Sequence, residues 1–167
     1  MTIFVTSDYH WGHRRIIEIC HRPFASLDEM NATLVAKWNA TVGPEDTVFH
    51  LGDFAWNATS ANFFYQLNGR KHLIVGNHDD KYVLALPWSS QQHYGELVLA
   101  EDGVKTHWVM CHYPIESWNR QRHGSIHLHG HDHGRTRPMA NRVDVGVDCN
   151  YFRPISLMDI KARLTDG

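Results

Sequence analysis

The segment Leu128-His129-Gly130-His131-Asp132-His133-Gly134 sets two imidazoles, on His131 and His133, either side of an aspartate. Glycines flank the group, which suits a tight loop leaving a strand better than a helix. Imidazole is a ligand for zinc, iron, nickel and copper, and such a loop aims two rings at one point. Alone, Gly-His-x-His reads equally well as a polar turn. Its meaning changes because Asp8 and His10, Gly52-Asp53, Gly76-Asn77-His78 and His112-Tyr113 repeat the arrangement. Each set follows a short apolar run, and each offers oxygen or nitrogen donors.

Those runs are the strands that must position the donors. Ile3-Phe4-Val5-Thr6 is β-branched and aromatic, reads as a buried strand and runs out at Ser7-Asp8. Asp8 and His10 are two apart, so both can turn to one side where the strand frays. Thr47 to Leu51 is the second strand, ending in Gly52-Asp53-Phe54, and His72 to Val75 the third, ending in Gly76-Asn77-His78-Asp79-Asp80. Thr106 to Cys111 delivers His112 and Tyr113, and Ile126-His127-Leu128 delivers His131 and His133. In open α/β sheets, ligand sites lie in the crevice outside the carboxyl ends of the strands. Several strand ends loaded with ligand-type residues therefore point to one shared site.

The intervening stretches supply packing. Ile16 to Ile19 is helix-like. Ser26-Leu27-Asp28-Glu29 is a helix start, with Ser26 as N-cap and Glu29 completing a capping box. Leu27, Met30, Leu34 and Trp38 then recur at helical spacing, Val35 widens the stripe, and the helix ends before Gly43-Pro44. Asn57 to Leu67 reads as a second helix with Phe63, Phe64 and Leu67 toward the core. Pro87 to His93 reads as a polar connection. Glu96 to Leu99 and Val104 to Met110 read as strands joined by a turn at Glu101-Asp102-Gly103, a hairpin that brings antiparallel pairing. Arg142 to Asp148 alternates like a strand. Pro154 to Leu157 resumes after a loop, and a short helix follows through Ile160 and Leu164.

Composition narrows the class. A chain of 167 residues reads as one domain, residues 1–167, without repeats or a dividing linker. The formal net charge of −2 gives no global electrostatic case for a nucleic acid or a membrane surface. Three cysteines, Cys20, Cys111 and Cys149, have no CxxC spacing and indicate neither a disulfide framework nor a thiolate zinc site. Met1-Thr2-Ile3-Phe4-Val5 has no basic n-region and is too short for a membrane span, so a cytoplasmic protein is expected. The anomaly is the 14 histidines.

Asp8, His10, Asp53, Asn77, His78, His112, His131 and His133 exceed what one catalytic ion needs, about three or four protein ligands. Two ions sharing one carboxylate, roughly 3.5–4 Å apart, would use the set, activate water and clamp a phosphoryl centre. In order and type, Asp8-x-His10, Gly52-Asp53, Gly76-Asn77-His78-Asp79, His112 and Gly130-His131-x-His133 resemble the five motifs of the calcineurin-like metallophosphoesterases. The small bacterial and phage-type members are the most similar.

That resemblance implies an α/β fold of two mixed β-sheets packed as a sandwich with flanking helices, the metals at one end. It implies that Asp8, His10 and His133 are terminal ligands of one metal, that Asn77, His112 and His131 are terminal ligands of a second, and that Asp53 bridges. His78 then protonates the leaving oxygen or stabilises charge on the phosphoryl group. His13, Arg14 and Tyr113 are candidates for the pocket wall and substrate contact. The implied activity is dinuclear-metal phosphoester hydrolysis, foremost of a diester of small or nucleotide type. A phosphomonoesterase or a nuclease on the same site, or a non-catalytic metal-binding scaffold, are the alternatives. Manganese is the first choice of metal, and iron, zinc, nickel and cobalt also suit nitrogen and oxygen ligands. Nucleic acid is not indicated as a partner, for no basic stripe interleaved with aromatics is present. One departure matters. The protein Ser/Thr phosphatases of this superfamily carry a carboxylate that orients the catalytic histidine; here Trp56 stands in its place, which disfavours protein phosphatase activity and leaves Asp79 as one candidate substitute.

Overall fold

The buried β-branched runs become the interior strands of two sheets. A computed structural model of the chain describes residues 1–101 and 103–165. The first half contains β1 (Ile3–Thr6), α1 (Ile16–Ile19), α2 (Leu27–Thr41), β2 (Thr47–His50), α3 (Ala58–Ala61), β3 (Arg70–Ile74) and α4 (Lys81–Leu84). The second half contains β4 (Gln91–Gln92), β5 (Tyr94–Glu101), β6 (Val104–Cys111), β7 (Ile126–His129), β8 (Arg142–Asp144), β9 (Ile155–Ser156) and α5 (Leu157–Thr165).

Both sheets are mixed. One has the order β4-β3-β2-β1-β9, with β1 to β4 parallel and β9 antiparallel to β1. The other has the order β5-β6-β7-β8, antiparallel between β5 and β6 and parallel from β6 to β8. Parallel pairing decides where function can sit, because it turns the ends of β1, β2 and β3 to one edge. The ends of β6 and β7 are likewise neighbours: the Gly130 N–H donates to the His112 carbonyl at 3.0 Å. Ser7, just past β1, pairs with Gly146, just past β8, and so ties one sheet's edge to the other's.

Alternation along the strands divides the core. Phe4, Val48 and Leu73 join Met30, Leu34 and Trp38 of α2 in one buried cluster. Val5 and Ile74 join a second cluster, which also holds Trp108 and Met110 of β6 and Ile126 and Leu128 of β7. The stripe read on α2 is thus a packing face. Ser26 caps it, accepting from the Glu29 N–H at 3.1 Å, but Glu29 reaches back to the Ala25 N–H at 2.7 Å, one residue earlier than a capping box requires.

Three expectations change. The helix expected over Asn57 to Leu67 is split: Asn57 caps the single turn α3, and Asn62–Gln66 tightens into a 3-10 turn. Tertiary packing drives this, since Phe63 stacks on Trp11 while Phe64 packs against Phe54 and Trp88. The connection Pro87 to His93 contains β4, an edge strand whose exposed glutamines carry no apolar signal. The strand expected from Arg142 to Asp148 stops at Asp144, whose carboxylate accepts from the Gly146 N–H and turns the chain; Asp148 lies in a 3-10 turn. The hairpin of β5 and β6 is present, but its turn includes Asp102, which lies outside the described residues. Among the described residues, no helix is long and apolar enough to cross a membrane.

His50 is enclosed by the rings of Tyr9, Trp38, Phe54 and Trp88, and neither of its nitrogens has a hydrogen-bond partner among the described residues. Burial, with His112 nearby, pushes its pKa down to about 3. An unfolded histidine takes up its proton near pH 6.5. The stabilisation from neutral His50 is therefore complete above pH 6.5 and is lost as pH falls toward 3, by about 1.4 kcal/mol per pH unit. In denaturant titrations, the wild type should lose about 2–3 kcal/mol more than His50→Leu between pH 7 and pH 4.5. Equal losses would show that His50 is protonated in the fold.

Candidate metal centre

Strand ends can aim side chains only where the backbone turns sharply. Asp8, His10, Asp53, His131 and His133 all adopt left-handed backbone, with φ of 60, 52, 58, 74 and 51°. That conformation is uncommon outside glycine and gathers at functional sites. The turns brace one another, the Asp8 N–H donating to the Gly52 carbonyl at 3.1 Å and the His10 N–H to the Asp53 carbonyl at 3.0 Å. Gly52 is required by close approach as well as by its φ: a Cβ there would lie 2.6 Å from both the Gly76 Cα and His112 Nδ1.

The structure brings the expected residues into two adjoining groups. Asp8, His10 and His133 offer ligand atoms within 4.8 Å of one another, and so do Asp53, His112 and His131. Asp53 lies between them. Its Oδ1 is 3.5 Å from His112 Nε2, its Oδ2 is 3.5 Å from His10 Nε2, and the residue is 2% exposed. Asn77 closes the second group, its Oδ1 3.0 Å from His112 Nε2 and 3.0 Å from His131 Nδ1.

The protonation pattern suits a cation. His112 Nδ1 faces the Leu51 carbonyl at 2.7 Å, and a carbonyl can only accept, so Nδ1 carries the hydrogen. Nε2 faces the Asp53 and Asn77 side-chain oxygens, so three atoms of the types that ligate a divalent ion converge there. His10 Nε2 is buried and has no hydrogen-bond partner among the described residues. Burial, with His133 and Arg22 beside it, lowers the His10 pKa well below the usual value and keeps the ring neutral, as a metal ligand must be. Burial raises the Asp8 carboxyl well above the usual carboxylate range; His133 opposes this, while Asp53 and Asp144 add to it. A divalent ion among these groups would relieve the desolvation and the acid–acid repulsion together.

A second layer of contacts was not legible in the sequence. Arg22 is buried and forks onto Asp148 with two 2.8 Å hydrogen bonds from Nε and Nη2, while Nη2 also donates to the Asp8 carbonyl and Nη1 to that of Tyr9. Asp148 Oδ2 in turn accepts from His133 Nδ1 at 2.7 Å. Burial works against a charged His133, yet the bond to Asp148, the Cys20 thiol and the Asp8 carboxylate push it up to about 10. The extra proton sits on Nε2, the position a metal ion would take. Cys20 also groups with His133 and Asp148, although its spacing marked it as no ligand. A carboxylate behind a ligating histidine fixes its tautomer and raises its basicity. Asp148→Asn should therefore lower Mn2+ affinity about 10- to 100-fold in calorimetric titration, with the circular dichroism unchanged. Unaltered affinity would contradict this positioning role.

His78 is exposed at the rim, its ring 5.5 Å from that of His10, while its backbone N–H donates to Asp53 Oδ1 at 2.9 Å. Asp79 does not orient it. The Asp79 carboxylate accepts from the backbone N–H groups of Asp53, Phe54 and Gly76, clamping two strand-end loops together. Trp56 itself lies beside His78, with ring centroids 5.6 Å apart. Among the pocket-wall candidates, His13 stacks on Trp56 and Tyr113 lies 4.8 Å from His131. Arg14 is exposed next to His13 in the chain.

No family model matches the chain. It is 32% identical to the uncharacterized protein MJ1445 of Methanocaldococcus jannaschii, over 98% of this chain and 91% of that one. It is 29% identical to the Gene 66 protein of Mycobacterium phage L5, over 86% and 84%. Among solved structures, the protein of unknown function AQ665 from Aquifex aeolicus superposes with a TM-score of 0.74 at 23% identity, over 97% of this chain and 98% of that one, so the two share a fold. A novel archaeal phosphodiesterase, at TM-score 0.43 and 17% identity over 87% and 82% of the two chains, is too loosely alike to bear on the site.

Proposed function

The chain belongs to the family of MJ1445 from Methanocaldococcus jannaschii, and from the geometry of its site we propose that it is a dinuclear-metal-dependent phosphoester hydrolase, a phosphodiesterase acting on a small or nucleotide-type ester. The observation that carries this reading is the Asp53 carboxylate, buried between two donor groups with one oxygen toward His112 and the other toward His10. A single carboxylate in that position suits sharing between two ions and has little use in a one-ion site. The two mixed sheets, contributing to one buried cluster with α2 on the far side of the first, support the sandwich of the calcineurin-like phosphoesterases.

Asp8, His10 and His133 would hold one ion, Asn77, His112 and His131 the other, and Asp53 both. Divalent ions so held, manganese foremost, lower the pKa of water and neutralise charge at a phosphoryl centre. The chain's own groups do the rest. Leu51 fixes the His112 tautomer through its carbonyl, and Asp148 fixes that of His133. His78, free of side-chain hydrogen bonds among the described residues and open to solvent, is the group that gives a proton to the leaving oxygen. His13 and Tyr113 border the space above the donors, one at each group. A single domain over residues 1–167 and a cytoplasmic location complete the proposal; the three cysteines are free, as a reducing compartment allows.

The test is hydrolysis of bis-p-nitrophenyl phosphate beside p-nitrophenyl phosphate by metal-stripped protein with Mn2+ restored. Manganese-dependent cleavage favouring the diester is expected. Preference for the monoester would reassign the site to a phosphatase, and turnover of neither would overturn the hydrolase reading.

A further inference from the structure

Trp56 differs from the other five tryptophans. Trp11, Trp38, Trp88, Trp108 and Trp118 are at most 8% exposed, whereas Trp56 is 46% exposed. It does not hang loose. Its ring lies on that of His13 with centroids 3.8 Å apart and planes 4° from parallel. Its backbone N–H donates to the Trp11 carbonyl at 3.0 Å, and Ala55 pairs with Trp11, so the segments bearing the two rings are held in register. The pair closes a ring of neighbours with the site. His13 is 5.7 Å from His10, His10 is 5.5 Å from His78, and His78 is 5.6 Å from Trp56.

We infer that the Trp56–His13 stack is a shelf for a flat aromatic ring of the substrate, a nucleobase joined through its sugar to the phosphate at the metal centre. This rests on the phosphoesterase reading for the position of the phosphate. One indole face is backed by imidazole, the residue is half exposed, and its ring lies beside that of His78. Because the stack exists before any ligand arrives, little rotamer freedom is lost when a base lands on it. Stacking of this kind tolerates any base, since each has a π-face. The chain neighbours of the pair, Gly12 and Asn57, line a cleft of about 560 Å³. Leu27, Phe63 and Tyr82 also line it, as do Asn31, Asn62 and Gln66, uncharged residues of a type that suits the hydrogen-bonding edge of a base.

The experiment compares AMP with ribose 5-phosphate, which carries the same phosphate and sugar without the base. Calorimetric Kd values on the purified full chain, before and after metal loading, should favour AMP about 5- to 150-fold. AMP should also quench the long-wavelength emission of the one exposed indole. Trp56→Ala should lose both the preference and the quench, and Trp56→Phe should keep most of the preference. Equal affinities in the wild type, or a preference retained in Trp56→Ala, would overturn the shelf. A 5′-phosphorylated tetranucleotide run beside AMP separates the sources of the ring. Tighter binding of the strand assigns a nucleic-acid end and equal or weaker binding a free nucleotide, and both carry the proposal. If no phosphoester is cleaved yet AMP stacks on Trp56, the hydrolase reading fails while the shelf stands; cleavage without base preference gives the converse.

Discussion

Asp53→Ala should lose both bound ions and with them all measurable diester hydrolysis. The carboxylate is buried between His10 and His112 and faces both at 3.5 Å, so its removal takes an oxygen from each donor group at once. The loops that would have to move to compensate are held: the Asp53 backbone donates to Asp79, and Gly52 packs against Gly76. A water filling the space carries no negative charge to balance two divalent ions. Turnover should fall by more than about 1,000-fold, a loss of roughly 4 kcal/mol or more of transition-state stabilisation. Metal content after dialysis should fall from two per chain to below one. Retention of two ions would remove Asp53 from the bridging role.

His78→Ala should separate binding from chemistry. The His78 side chain is exposed, and the contact it makes to Asp53 runs through its backbone N–H, which alanine keeps. Metal content should stay at two per chain while kcat falls about 100- to 10,000-fold, the range for loss of a positioned general acid. The loss should be smaller for a diester with a good leaving group such as p-nitrophenolate than for an alkyl ester, because an acidic leaving group needs less help from a proton donor. Equal metal loss in His78→Ala and Asp53→Ala would contradict the separate roles. An equal fall in kcat for both leaving groups would point instead to stabilisation of the phosphoryl oxygens.

The parts of the fold legible in the sequence share a physical cause. β1, β2 and β7 bury most of their residues, and buried strands are short apolar runs bounded by turn residues. α2 shows through its stripe because one face packs under the first sheet. The donor residues follow from the same pattern, being the polar types that come straight after each run. What stayed hidden depends on distance or on absence of pattern. Arg22 and Asp148 are 126 positions apart, and nothing in either neighbourhood signals a buried pair. Gln91–Gln92 joins the first sheet through backbone alone, and polar edge residues leave no periodicity. Asn57 to Leu67 has the composition of a helix, but stacking of Phe63 on Trp11 and packing of Phe64 under Trp88 decide its geometry. Asp79 looked free to orient His78 because sequence does not record where backbone N–H groups point; three of them occupy it. Trp56 could be named as a departure at its position, but not placed, since exposure of a single aromatic has no local signature.

The most direct test of the dinuclear site is anomalous diffraction from crystals of the full chain grown with Mn2+. Two manganese peaks are expected, one among Asp8, His10 and His133, one among Asn77, His112 and His131, with the Asp53 carboxylate reaching both. A single peak, or peaks held by residues outside this set, would contradict a dinuclear phosphoesterase centre.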